Sequence, residues 1–102
     1  MSSVLVVSEI STEREEIARA LEAEGFKVVQ ASTAADAVRE IWGGSFLVVV
    51  IPTSLTGTSP AALQQQLVQM APEIETLVHG KNDDLARMVR KVCEIRDGVA
   101  AA

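Results

Sequence analysis

Few residues of this 102-residue chain carry groups that point to chemistry, and they fall in four places. Ser8-Glu9 follows the apolar run Val4-Leu5-Val6-Val7, with Ser11 and Thr12 just beyond. A carboxylate there could ligate a metal, and a serine could act as a nucleophile, though without a base its hydroxyl is weak at neutral pH. Thr53, Ser54, Thr56 and Thr58 make a hydroxyl-rich loop that could meet a phosphate together with helix amides. His79, the only histidine, could switch with pH or take a phosphoryl group, and Lys81 follows it closely. Cys93 is the only thiol.

Each group has a plainer reading, which the residue types favour. Glu9 suits a solvated carboxylate near a helix N-terminus, where the dipole welcomes it. His79 has no Cys, Asp or Glu at a recognisable ligand spacing, so it reads as a polar residue closing a strand. The Thr/Ser loop holds only Gly57, whereas a phosphate-binding loop needs several glycines and a Lys. Cys93 falls beside the apolar stripe of a helix, and Arg90 and Lys91 nearby are not enough to mark a reactive thiolate. Lys81 reads as a surface residue. No Gly-x-Gly-x-x-Gly, Ser-His-Asp order, Cys-x-x-Cys or paired-acid motif is present. We therefore expect no catalytic residue, no metal, no cofactor and no enzyme activity.

The elements that must position these groups alternate. Val4–Val7 is too short for a helix and β-branched, so it reads as a buried strand. Thr12 with Glu15 has the capping-box spacing for a helix carrying Ile17, Ala20 and Leu21, ended by Gly25. Phe26 to Ala31 reads as a second strand. Ser32 or Thr33 caps a helix with Ala34, Ala37, Val38 and Ile41 on one face, stopped by Gly43-Gly44. Phe46 to Ile51 is continuously apolar, which suits a central parallel strand buried on both faces. Ser59-Pro60 starts a third helix carrying Leu63, Leu67 and Met70. Ile74 to Val78 is a more polar strand, suited to an edge. Asn82 or Asp83 caps a last helix with Leu85, Met88, Val89 and Val92 on one face, and the tail from about 98 to 102 reads as frayed. The βαβαβαβα order implies one α/β domain over 1–102, with a parallel sheet, helices on both faces and right-handed crossovers.

Composition narrows the classes. A hydrophobic share of 48% favours a folded chain, and 3% aromatics makes its core aliphatic. A net charge of −5 repels phosphate backbones, so nucleic acid is not an expected partner. A single cysteine excludes an internal disulfide and suits a reducing cytoplasm. No apolar run is long enough to span a membrane, and no basic segment precedes the first apolar run as in a signal peptide.

Several segments together resemble the receiver domain of bacterial response regulators, over roughly residues 3 to 80. VLVVSEI is similar to that family's first strand and acidic turn. EIARALEAEGFKVVQASTAADAVREI is similar to its first helix, second strand and second helix. FLVVVIPTSLTG is similar to its third strand and following loop, and APEIETLVHG to the run into its fourth strand. The resemblance implies a flavodoxin-like three-layer sandwich, here shortened to about four parallel strands in the order 2-1-3-4.

In that family an aspartate ending the third strand takes a phosphoryl group, two acids after the first strand hold Mg²⁺, and a Ser/Thr and a Lys contact the phosphoryl oxygens. This chain departs at those positions. The acidic pair is Ser8 and Glu9, the acceptor position is Ile51, with Thr53 just beyond it, and the Ser/Thr position is His79. No fifth strand or matching Lys follows. The resemblance thus implies a degenerate, phosphorylation-independent two-component signalling module that acts by docking a protein or forming a homodimer. The expected interaction face is Ile74, Thr76, Leu85, Met88, Val89 and Val92. Two alternatives stay open. One is a phosphoryl carrier resembling the IIB components of sugar phosphotransferase systems, with Ser8 where those carry a Cys nucleophile. The other is a small-ligand sensor using the strand-end crevice.

Overall fold

A computed structural model describes the backbone of residues 2–101 and the side chains of residues 2–98. The elements are β1 (Ser3–Val7), α1 (Ser11–Glu22), β2 (Lys27–Ala31), α2 (Ala34–Gly43), β3 (Val48–Ile51), α3 (Pro60–Met70), β4 (Glu75–Val78) and α4 (Leu85–Ala101). The strands form one parallel sheet in the order β2-β1-β3-β4. This is the α/β architecture and strand order expected from the sequence. There is no fifth strand among the described residues.

Alternation along each strand builds a core on both sides of the sheet. On one side Leu5, Val7, Val49 and Ile51 meet Ala37 and Ile41 of α2 and Leu63 and Leu67 of α3. On the other, Val4, Val6, Val48 and Val50 meet Ile17 and Leu21 of α1 and Met88, Val89 and Val92 of α4. Right-handed crossovers explain the first assignment, since β2-α2-β3 and β3-α3-β4 step the same way across the sheet and place both helices on one face. α1 alone would leave half of the opposite face in water. The apolar stripe of α4 fills that half, and each fully buried aliphatic side chain contributes about 1.5–3 kcal/mol.

Helix starts follow local chemistry with two corrections. The Thr33 hydroxyl accepts from the Asp36 N–H at 3.0 Å, and the Ser59 hydroxyl accepts from the Ala62 N–H at 3.1 Å. The Thr12–Glu15 capping box does not form. α1 begins two residues earlier than a Thr12 cap would place it, at Ser11 behind Ile10, and has no side-chain cap. The last helix is capped by neither Asn82 nor Asp83. Asp84 does it, accepting from the N–H groups of Ala86 at 3.0 Å and Arg87 at 3.4 Å. Asp83 instead accepts from the Gly80 N–H at 2.8 Å and tightens the turn after β4. Gly25, at φ 91°, takes the left-handed turn that ends α1.

β2, β3 and β4 are shorter than the expected runs: Phe26 precedes β2, Phe46 and Leu47 precede β3 as half-buried residues, and Ile74 precedes β4. β4 is an edge, as its polarity suggested. The frayed tail expected at about 98–102 falls, beyond Gly98, on residues whose side chains lie outside the described set, with helical backbone as far as Ala101.

Candidate functional site

β1, β3 and β4 end side by side, so Ser8, Ile51 and His79 share one rim of the sheet. Ser8 is buried, 3% exposed, and its bonds are local. Its N–H donates to the Ala31 carbonyl at 3.1 Å, extending the β1–β2 ladder by one residue. Its hydroxyl accepts from the Ile10 N–H at 3.2 Å and lies 3.4 Å from the Ile10 carbonyl, forming the turn into α1. The Arg14 guanidinium donates to the Ser8 carbonyl at 2.8 Å and to the Gln30 side-chain oxygen at 3.0 Å. Sequence reasoning missed Arg14, because nothing in its spacing shows that α1 aims it back at β2.

Glu9 turns toward the loop after β3. Its two carboxylate oxygens accept from the Thr56 N–H at 2.9 Å and the Thr56 hydroxyl at 3.0 Å. Here the backbone makes a tight turn, with a bridge between Leu55 and Thr58 and Gly57 at φ 79°. Glu9 is therefore a clasp between two loops.

Ile51 is fully buried and belongs to the core with Leu5, Val49, Leu63 and Leu67. Its carbonyl accepts from the His79 N–H at 2.8 Å, so the strand end is closed by backbone bonding. His79 is half-buried. Gly80 beside it leaves no room for a side chain, because a Cβ there would stand 2.8 Å from the Thr53 methyl carbon. Thr53 thus packs on the turn after β4, with its side chain exposed.

Between these loops and α1 lies a crevice of about 300 Å³, lined by Ser8, Glu13, Glu16, Pro52, His79 and Lys81. Glu9 is engaged by Thr56, Ser8 by its own turn, and Ile51 offers no ligand. Among the described residues no group of three His, Cys, Asp or Glu side chains is placed to hold a metal.

Cys93 is half-buried on α4, and burial pushes its thiol up, with Arg96 opposing the shift. It is far from a thiolate at neutral pH. The expected interaction face contracts. Ile74, Met88, Val89 and Val92 are core residues, no more than 8% exposed: the apolar stripe of α4 is spent on one face of the sheet, and Ile74 packs into the core on the other. Thr76 and Leu85 remain half-buried. The Thr76 hydroxyl is taken by the Gln64 amide at 2.6 Å. What this side offers to solvent is Val78, 46% exposed, and a groove of about 600 Å³ between the β4 edge and α4. No helix among the described residues is long and apolar enough to cross a membrane.

No protein-family model and no curated protein matches the chain. Solved structures do. A CheY-like response regulator receiver domain protein from Methanospirillum hungatei JF-1 superposes with a TM-score of 0.89 at 14% identity, covering 100% of this chain and 99% of that one. A receiver domain protein from Clostridium thermocellum gives 0.87 at 14% identity, covering 99% and 98%. A response regulator protein from Burkholderia pseudomallei, solved with a phosphorylated aspartic acid, a calcium ion and citrate, gives 0.74 at 22% identity, covering 90% of this chain and 55% of that one. The fold is that of a response-regulator receiver domain.

Proposed function

We propose that this receiver fold serves as a phosphorylation-independent signalling module, binding other proteins as its output. The observation that carries the reading is the rim of the sheet. Ile51, at the position expected of an acceptor, is core, and Glu9, the carboxylate of the turn after β1, is committed to Thr56. Phosphoryl transfer to a carboxylate needs an aspartate or glutamate at the strand end with charge-stabilising groups around the moving phosphate, and the apolar Ile51 in that place supports the reading. The reading assigns no catalysis and no cofactor, and it places the protein in the cytoplasm, where two-component signalling receivers act. The groove beside β4 is the surface we assign to docking.

Incubation with acetyl phosphate and Mg²⁺, followed by intact-mass spectrometry, tests this directly. The expected result is an unchanged mass. A stable acyl-phosphate adduct would overturn it. The crevice of about 300 Å³ favours one second reading, a small-ligand sensor. Its test is a thermal-shift screen, in which stabilisation lost on Lys81→Ala would support it.

A further inference from the structure

The open edge of β4 presents a hydrogen-bonding pattern that fits itself. The N–H groups of Glu75 and His79 donate to Leu47 and Ile51 on the β3 side. Strand alternation then turns the N–H and C=O groups of Thr76 and Val78 outward. These two residues flank Leu77. In an antiparallel pairing about a two-fold axis at Leu77, Thr76 of each copy lies opposite Val78 of the other. Each such pair exchanges two backbone hydrogen bonds, and Leu77 faces its own copy as the non-hydrogen-bonded pair. The four outward groups of one edge are satisfied by the four of the second.

Three further observations favour a second copy as the occupant. Val78, 46% exposed, is the one strand residue among the exposed large hydrophobics of the described chain. Beside the edge, the groove is lined by Leu77 and Met88, giving the partner's Leu77 an apolar place to lie. Its rim also carries Arg87, Arg90 and Lys91 against Asp83, Asp84 and Glu94. That balance lets two copies of a chain of net charge −5 meet with little like-charge repulsion.

We propose that β4 pairs with β4 of a second copy, antiparallel about Leu77, to form a continuous eight-stranded sheet. The proposal deepens the docking reading above and rests on it. An uncovered edge is a template for such pairing.

The experiment combines sedimentation velocity over a wide concentration range with site-specific oxidation in a Cys93→Ser background. Antiparallel non-hydrogen-bonded neighbours have Cα atoms about 4.5 Å apart, within disulfide range. Leu77→Cys should therefore give a disulfide-linked dimer. Glu75→Cys should not, because the register separates its two copies by roughly 14 Å. Val78→Pro removes an outward N–H while leaving the β3 ladder intact, and it should weaken association by about tenfold or more. A chain that stays monomeric, a dimer insensitive to Val78→Pro, or cross-linking at residue 75 in place of 77 would each overturn the proposal. None of these touches the phosphorylation result. Conversely, an acyl-phosphate adduct would remove the docking reading while the cross-linking pattern still judged the dimer.

Discussion

Glu9 and Thr56, 47 residues apart in sequence, are joined by two hydrogen bonds of 2.9 and 3.0 Å that use both carboxylate oxygens. The bond pair ties the turn after β1 to the loop after β3. It gives Glu9 a structural role and shapes the loop from Thr53 to Thr58.

Breaking that clasp should loosen the loop without unfolding the domain. Both groups are exposed, so Glu9→Ala should lower stability by only about 1 kcal/mol. Amide hydrogen exchange at Thr56 should quicken markedly. A double-mutant cycle with Thr56→Ala, which removes the hydroxyl bond and keeps the N–H bond, should show coupling, whereas additivity would mean that the hydroxyl bond contributes nothing.

Ile51 should behave as core. Ile51→Val should destabilise by about 0.5–1.5 kcal/mol. Ile51→Asp places a carboxylate in a fully buried apolar site and should remove several kcal/mol, a large share of a domain's usual stability. It should not create a phosphoacceptor, because no metal site accompanies it. Urea denaturation and a phosphodonor assay on the same variants check both statements.

Gly80 should resist enlargement. A Cβ at this position meets Thr53 Cγ2 at 2.8 Å and Oγ1 at 3.2 Å. Gly80→Ala should therefore cost about 1–2 kcal/mol, and Thr53→Ala in the same chain should recover most of it. Thermal melts of the single and double variants decide this, and absence of rescue would mean that the strain lies elsewhere.

Cys93 should alkylate slowly at neutral pH. Burial raises its thiol, so the folded state holds the proton more tightly than the unfolded chain does. Its contribution to stability is then intact below the ordinary thiol range, near 8.5, and falls as pH rises through and above it. Iodoacetamide labelling followed by mass spectrometry, native against denatured, should show the denatured chain reacting faster at pH 7.

Much of the fold was legible because its signals are local. Ser59-Pro60 and Thr33 cap where their chemistry said they should, and the unbroken run ending at Ile51 is a central strand buried on both faces. The last helix shows the limit, for three capping-competent residues stand in a row from Asn82 to Asp84. Only the turn at Gly80, which engages Asp83, leaves the cap to Asp84. Thr12 and Glu15 had the right spacing, but α1 had already begun at Ser11.

The rim was less legible, because its partners are distant in sequence. Glu9 with Thr56, Arg14 with Gln30, and Gly80 against Thr53 leave no periodic trace. The expected interaction face narrowed for a related reason. Periodicity shows that Met88, Val89 and Val92 share a stripe, but not whether the sheet or a partner covers it. Here the sheet does, and the surface left over is the β4 edge and the charged flank of α4.

The central claim is that this receiver fold works without a phosphorylatable rim, and intact-mass spectrometry after acetyl phosphate and Mg²⁺ treatment addresses it most directly. The account predicts no added phosphoryl mass on the native chain, whether before or after Glu9→Ala. A stoichiometric, hydroxylamine-sensitive adduct on the native chain would contradict it.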